Sequence, residues 1–279
     1  MIRYRSDDED SARWARFPFR TGDVVLSSRS KHGTTWTQMV LALLVHRTPD
    51  LPAPLAELSP WLDHTVTPLD EVLARLAAQP HRRIVKTHTP LDGVPADDRV
   101  TYVVAARHPL DAAVSLHHQA ANLTRVRPPL PPLEDWLRAW IDADPDPRAS
   151  LDSLPGVLHH LVDAWSRREQ PNVVLVHYAD LAADLGGEMN RLAAALDPAV
   201  DDAVPADLVA AAGFEAMRSA ADRLAPDPGG VLKDRQAFFR RGSSGAAREV
   251  LDPAAIARYR ERCAGVLPPD LDAWLHRPD

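Results

Sequence analysis

Cysteine is the residue that this sequence has least of, since Cys263 is the single one among 279 residues. One thiol forms no disulfide within the chain and builds no cysteine-ligated metal cluster. A protein without disulfides suits a reducing compartment. We therefore expect a cytoplasmic location and no metal site.

Long apolar runs are also missing. The opening stretch, MIRYRSDDEDSARW, is polar and acidic and lacks the apolar core of a signal peptide. No run further along approaches the length that crosses a membrane. We predict no membrane span, and we expect residues 1–22 to form a frayed lead-in that ends in an aromatic patch.

An excess of positive charge is absent as well, because the formal net charge is −7. Without a basic face, nucleic acid is not expected as a partner. A local basic pocket in an acidic protein favours a small anionic ligand instead. The length and a hydrophobic share of 45% predict one α/β domain over residues 1–279.

The most informative part of the sequence is the stretch from Asp23 to Val45. Val24 to Leu26 has the length of a buried strand, and a short polar loop follows up to Gly33. The next segment has the apolar spacing of an amphipathic helix, carried by Trp36, Met39, Val40, Leu43 and Leu44. A strand, a tight loop and a helix N-terminus aim free N–H groups and a positive dipole end at one point.

This loop predicts a site for a phosphate-like anion. Lys31 adds a positive charge, Thr34 and Thr35 add hydroxyl donors, and Trp36 adds an aromatic face. The alternative is an ordinary strand-to-helix turn with threonine as the cap, and a lone Gly-Thr-Thr does not decide between them. The ATP-type pattern GxxxxGK[ST] does not match, because Lys31 precedes Gly33.

Two later strand ends carry further polar residues. Lys86 and His88 lie two positions apart after an apolar pair, so an extended backbone points them to the same side. Residues 100–106 form the strongest predicted strand, and Arg107 ends it. Ligands of open α/β sheets bind beyond the carboxyl ends of strands. Arg107 either grips a terminal phosphate or pairs with a nearby carboxylate such as Asp111.

Together these segments resemble the cytosolic-type sulfotransferases, which use 3′-phosphoadenosine 5′-phosphosulfate (PAPS). SKHGTTW (residues 30–36) is similar to their 5′-phosphosulfate loop, KTHTP (86–90) to their catalytic segment, and RHPLDAAVS (107–115) to their 3′-phosphate site. The resemblance implies that His88 acts as the base, that Lys86 contacts the transferring group, and that Arg107 and Ser115 hold the 3′-phosphate. His32 departs from the family, which usually has a small residue there.

Three further positions match the family pattern in the second half of the chain. Tyr178 follows a strand as the family's adenine-proximal tyrosine does, and Phe214 matches a phenylalanine that stacks on the purine. Phe238 to Gly245 is similar to a loop that covers the cofactor. Ala246 and Ala247 replace its usual Asp-Trp, and the family's dimer segment has no clear counterpart in residues 248–253. The oligomeric state is left open.

We therefore predict a three-layer α/β/α fold with a mainly parallel central sheet and a P-loop-like phosphosulfate-binding loop. The resemblance, strongest to actinobacterial glycolipid or aryl sulfotransferases, implies sulfuryl transfer from PAPS to a hydroxyl acceptor, with 3′,5′-ADP as product and no metal. The predicted catalytic residues are His88, Lys31 and Lys86. The predicted cofactor-binding residues are Lys31, His32, Gly33, Thr34, Thr35, Trp36, Arg107, Ser115, Tyr178, Phe214, Arg240, Arg241 and Gly242.

Two other functions stay open at this point. One is a P-loop-type nucleotide kinase, and the other is a catalytically silent nucleotide-binding module. The acceptor itself is not readable from the sequence. The segments expected to wall its site, residues 50–68, 122–153 and 223–237, have the least regular pattern, and their Trp, Pro and Leu content indicates a small or lipid-like apolar acceptor.

Overall fold

A computed structural model describes residues 1–124, 129–199, 202–227 and 229–277. Its strands are β1 (Val24–Ser28), β2 (Ile84–Thr87), β3 (Thr101–Ala106) and β4 (Val173–His177). They form one sheet in the order β2-β1-β3-β4, and every neighbouring pair is parallel. The helices are α1 (Thr34–His46), α2 (Leu55–Leu58), α3 (Leu69–Ala78), α4 (Pro109–Ala121), α5 (Leu133–Asp142), α6 (Leu154–Ser166), α7 (Tyr178–Ala183), α8 (Leu185–Leu196), α9 (Ala206–Ala211), α10 (Phe214–Ser219), α11 (Ala221–Leu224), α12 (Pro253–Ala264) and α13 (Pro269–Leu275).

The sheet is the middle of three layers, as the sequence predicted. Successive strand residues point to opposite faces, so Val24 and Leu26 join the core beneath α1 while Val25 joins the core beneath α3. A further apolar cluster gathers α4, α5, α6, α12 and α13. Because both faces of the sheet are covered by helices, its strands are almost fully buried.

The order of the strands brings three loops to one edge of the sheet. β1 lies between β2 and β3, so the chain leaves the carboxyl ends of these three strands at neighbouring points. The loop after β1 contains Lys31, β2 is followed by His88, and β3 is followed by Arg107. The three segments singled out from the sequence therefore converge because the sheet is parallel and β1 is central.

The N-terminal residues are ordered, contrary to the frayed lead-in expected for residues 1–22. Tyr4 is buried, and its hydroxyl donates to Asp92 at 2.7 Å. The amide of Ile2 also donates to the carbonyl of Asp92, at 2.8 Å. The aromatic patch packs edge to face, with 5.7 Å between the ring centres of Trp14 and Phe17. Long-range contacts with the rest of the chain thus hold a segment whose own sequence is polar.

The apolar spacing of residues 181–196 and 205–221 predicts one continuous helix over each segment, but both are broken. The segment 181–196 is split by Asp184, whose side chain caps α8 by accepting from the amide of Gly187. The segment 205–221 divides into α9, α10 and part of α11, with Gly213 between the first two. The last helix, α13, was not predicted, and a single turn, α2, interrupts the loop expected over 50–68.

No helix of the described ranges is both long enough and apolar enough to span a bilayer. The wall segments 122–153 and 223–237 are tied to each other, because Lys233 donates its amide to the carbonyl of Asn122 at 2.8 Å. Of the first segment, residues 125–128 lie outside the described part of the chain, and so does residue 228 of the second.

Candidate active site

A cavity of about 880 Å³ opens at the carboxyl edge of the sheet. Its lining includes residues of the loops after β1, β2 and β3. It also includes every residue predicted for the catalytic and cofactor sites except His32, namely Lys31, Gly33, Thr34, Thr35, Trp36, Lys86, His88, Arg107, Ser115, Tyr178, Phe214, Arg240, Arg241 and Gly242. Residues scattered over more than two hundred positions of the sequence therefore meet in one place.

The loop after β1 presents the N-terminus of α1 to the cavity. Gly33 caps the helix with φ at 92°, a left-handed conformation that glycine adopts without strain. A Cβ at this position would lie 3.2 Å from the ring of Tyr178. The hydroxyl groups of Ser28 and Thr34 are hydrogen-bonded at 2.7 Å, which fixes the first turn of the helix to the end of β1.

Lys31 reaches across the loop, and its ammonium is already engaged. It donates to Oε1 of Gln119 on α4 at 2.6 Å and lies 3.8 Å from the centre of the Phe238 ring. Burial, together with the positive charges of Arg107, Lys86 and Arg240, lowers the pKa of Lys31 to about 7. The cavity therefore holds several positive charges close together, which makes it harder for Lys31 to keep its proton.

His32 does not line the cavity. Its side chain is buried behind the loop, with Nδ1 at 3.0 Å from the carbonyl oxygen of Ser30. Burial lowers its pKa to about 4, so the ring is neutral near neutral pH. The residue that departs from the family pattern thus supports the loop from within, and its side chain is not placed to touch a ligand in the cavity.

His88 is buried at the end of β2 beside an aromatic and a cationic neighbour. Its Nδ1 is hydrogen-bonded to the carbonyl oxygen of Ser28, and its ring meets Trp61 edge to face at 4.5 Å. The ammonium of Lys86 lies 4.0 Å from the Trp61 ring. Burial lowers the pKa of His88 well below its ordinary value, and the charge of Lys86 acts in the same direction.

Burial in the same part of the cavity also shifts the pKa of Lys86. Burial lowers its pKa to about 8, although the carboxyl groups of Glu9 and Asp63 oppose the shift. Because Nδ1 of His88 faces a carbonyl oxygen, it carries the proton and leaves the lone pair on Nε2. Near neutral pH the pair predicted from the sequence therefore consists of a neutral histidine and a largely protonated lysine.

Arg107 stands at the opposite side of the loop cluster. Its guanidinium donates to the carbonyl of Ser243 at 2.9 Å and lies 4.0 Å from the centre of the Tyr178 ring. Its Nε is buried and has no hydrogen-bond partner among the described residues. The alternative pairing with Asp111 is not seen, since both carboxylate oxygens of Asp111 accept from the amide of Gly245.

The loop around Gly242 closes this side of the cavity. Gly242 has φ at 65°, and a Cβ there would lie 2.6 Å from the ring of Phe214. Arg240 is partly buried, which lowers its pKa, and the charges of Arg241 and Arg107 lower it as well. Arg241 is more exposed and forms a two-point ion pair with Glu249 at 3.0 Å. Arg240 is therefore the better placed of the two arginines for a ligand.

Several cavity residues were not found from the sequence. Glu9, Gln119 and Asp152 line the cavity with Arg29, whose guanidinium donates to the carbonyl of His88 and to Asp152. Arg29 lies in the predicted loop, directly before the SKHGTTW motif, and that position was the one signal in the sequence that could have identified it. Within the described ranges, no cluster of three or more His, Cys, Asp or Glu side chains is arranged to hold a metal ion.

Comparison with known proteins agrees with this geometry. The family model described as "Sulfotransferase domain" matches residues 21–274. The chain is 42% identical to a glycolipid sulfotransferase of Mycobacterium bovis over 98% of this chain and 93% of that protein. It is 28% identical to cytosolic sulfotransferase 13 of Arabidopsis thaliana over 85% of this chain and 74% of that one.

A solved structure shares the fold. A retinol dehydratase in complex with retinol and PAP matches with a TM-score of 0.71 and 24% identity, over 93% of this chain and 85% of that one. At that level of identity the likeness shows the fold alone. It confirms the prediction of a parallel sheet between layers of helices.

The charge cluster predicts that anion binding depends on pH. Lys31 and Lys86 lose protons as the pH rises through about 7 and about 8, whereas sulfate stays a dianion. Sulfate should therefore bind tightest at pH 6 and weaken toward pH 9, by at most about tenfold per pH unit for each lysine that must regain a proton. Isothermal titration calorimetry measures the trend, and Lys31→Arg should reduce it to the part that Lys86 contributes above about pH 7. Equal affinity at pH 6 and pH 9 would contradict the assignment.

Proposed function

The chain belongs to the sulfotransferase family, and we propose that it moves the sulfuryl group of PAPS to a hydroxyl group of an apolar or lipid-like acceptor, with His88 as the general base. Sulfotransferase activity follows from family membership. The residue roles and the acceptor class are inferences from the site. The observation that carries them is that Lys31, His88 and Arg107 line one cavity.

The residues of the cavity fit a nucleotide with two anionic ends. Lys31 and the amide groups at the start of α1 would hold the 5′-phosphosulfate, as helix N-termini bind phosphate. Arg107, Ser115 and Arg240, with the backbone of Gly242, would hold the 3′-phosphate. The charge of Arg107 contributes to the lowered pKa of both Lys31 and Arg240, and this clustering of positive charge supports an anion there.

Aromatic rings between these two groups would hold the adenine. Trp36 and Tyr178 meet edge to face at 5.1 Å, and Phe214 lines the cavity next to Gly242. Gly33 and Gly242 let the backbone approach Tyr178 and Phe214 more closely than a residue with a Cβ would allow. A flat purine ring suits such a site, because stacking on aromatic side chains contributes to base binding.

PAPS supplies an activated sulfuryl group, and the protein's own residues arrange its transfer. His88 would accept the proton of the attacking hydroxyl at Nε2, since Nδ1 is committed to the carbonyl of Ser28. Lys86 and Lys31 would balance the negative charge that develops on the sulfuryl oxygens and the leaving phosphate. These cations make a metal ion unnecessary in the proposed mechanism.

The acceptor would enter over the segments 50–68 and 149–152. Residues of both line the cavity, among them Leu55, Trp61 and Leu151. These apolar side chains support an acceptor with a hydrophobic part, and the relative named a glycolipid sulfotransferase supports the same class.

We place the reaction in the cytoplasm, because the single thiol, Cys263, is free and buried. The oligomeric state is not part of the proposal.

Replacing the proposed base tests the mechanism. His88→Ala should leave 3′,5′-ADP binding unchanged within about twofold and lower kcat by about 10²–10⁴-fold, the usual contribution of a positioned base. Transfer of labelled sulfate from PAPS to a glycolipid and to phenols measures kcat, and His81→Ala, outside the cavity, serves as the control. A loss of kcat below about tenfold would exclude His88 as the base.

The position of Phe214 can be tested through Gly242. Gly242→Ala should weaken 3′,5′-ADP binding about tenfold, because the new methyl group displaces the Phe214 ring. Gly230→Ala is the matched control, since Gly230 has φ at 67° but nothing within 4 Å of the added Cβ. Calorimetric titration compares the two variants. Equal affinities would show that Phe214 does not contact the nucleotide.

A further inference from the structure

Glu9 is a buried acidic residue of the cavity that the mechanism above does not use. Its side chain lines the cavity, and only 8% of the residue is exposed. Its Oε2 is buried without a hydrogen-bond partner in the described part of the protein. Buried polar atoms nearly always have a partner, so an orphaned carboxyl oxygen at a substrate cavity calls for an explanation.

The backbone around Glu9 is held firmly. Glu9 pairs with His64 through an antiparallel bridge, and its carbonyl accepts from the amide of Ser6 at 2.9 Å. The amide of Asp10 donates to the carbonyl of Asp63, and the amide of Thr65 donates to that of Asp8, both at 2.8 Å. The orientation of Glu9 therefore follows from the packing of the N-terminal segment against residues 63–65.

This position is on the acceptor side of the reacting groups. The ring of His64, opposite Glu9, stacks on Trp61 at 4.2 Å, and Trp61 in turn contacts His88 and Lys86. Burial raises the pKa of Glu9 to about 7, while the charges of Arg29 and Lys86 oppose that shift. The carboxyl group thus lies close enough to Lys86 to be affected by its charge, and its segment packs against residues next to Trp61.

The neighbouring cations do not complete the hydrogen bonding of Glu9. The two terminal nitrogens of Arg29 donate to the carbonyl of His88 and to Asp152. The ammonium of Lys86 lies over the ring of Trp61. Nε of Arg29 is buried without a partner among the residues that the structure describes, so it forms no hydrogen bond with Glu9 either. A donor for the Glu9 carboxylate can come from a molecule in the cavity.

We propose that Glu9 determines acceptor specificity by accepting a hydrogen bond, at its carboxylate, from a second hydroxyl group of a polyhydroxylated acceptor such as a sugar ring. The first hydroxyl group of that ring is the one that attacks the sulfuryl group near His88. This inference rests on the proposed function. An acceptor with a single hydroxyl group leaves the carboxyl without its donor, and sites built to bind a hydroxyl reject analogues that lack it.

The test compares two acceptors that share a hydrophobic tail. Octyl β-glucoside offers several hydroxyl groups, whereas 1-octanol offers one. At pH 8, where Glu9 is mainly ionised, and with saturating PAPS, Glu9→Gln should lower kcat/KM for octyl β-glucoside about tenfold, mainly through KM, because a hydrogen bond to a charged acceptor is replaced by one to a neutral amide. For 1-octanol the same variant should change kcat/KM by less than about twofold.

Asp7→Asn is the matched control. It removes one negative charge from the same segment, but Asp7 is exposed and does not line the cavity. It should leave both acceptors unaffected. At pH 8 the Tm of Glu9→Gln should equal or exceed that of the wild type, since an unpartnered buried carboxylate opposes folding. A purely structural role for Glu9 would lower Tm and affect both acceptors alike.

Each other outcome has a definite meaning. Equal losses on both acceptors, no loss on either, or the same loss in Asp7→Asn would overturn the role of Glu9. A wild-type enzyme that sulfates 1-octanol as efficiently as octyl β-glucoside would also overturn it and leave the proposed function standing. A wild-type enzyme that sulfates neither acceptor, nor any phenol, would overturn the proposed function and this inference together.

Discussion

The confinement of several positive charges in one cavity is the constraint on which the site depends. Lys31, Lys86, Arg107 and Arg240 line the same space. Burial lowers the pKa of both lysines, and the charges of Arg107, Lys86 and Arg240 contribute to the lowered pKa of Lys31. Such an arrangement is costly while it lacks a counter-charge. The proposed nucleotide, with an anionic group at each end, would supply that counter-charge, and the relief of repulsion would add to its affinity.

The fold creates this confinement with few elements. Because β1 is flanked by β2 and β3 and all three are parallel, their carboxyl ends place a lysine loop, a histidine and an arginine side by side. Two glycines, Gly33 and Gly242, then allow the backbone to close on aromatic rings. The N-terminal segment and the loop containing Trp61 complete the wall on the side of His88.

Local patterns predicted the centre of the molecule well. The strands and the start of α1 could be read from apolar runs and one glycine, and the positions of Lys31, His88 and Arg107 followed from the strand ends. The prediction of a frayed N-terminal segment was wrong, because that segment is held by contacts with residues far away in the sequence, such as the hydrogen bond between Tyr4 and Asp92. The break between α7 and α8 depends on a side-chain cap from Asp184, which competes with a continuous apolar pattern. Glu9 was also missed because its burial depends on contacts that are distant in the sequence, and no neighbouring residue indicates that this carboxyl group is buried.

The central claim is that Lys31 and Arg107 hold opposite ends of one nucleotide. Calorimetric affinities for 3′,5′-ADP and for 5′-AMP, which lacks the 3′-phosphate, test it most directly. The account predicts that Arg107→Met weakens 3′,5′-ADP by about tenfold or more and leaves 5′-AMP unchanged, whereas Lys31→Met weakens both. If Arg107→Met weakened both nucleotides alike, or neither of them, Arg107 would not bind the 3′-phosphate and the account would be wrong.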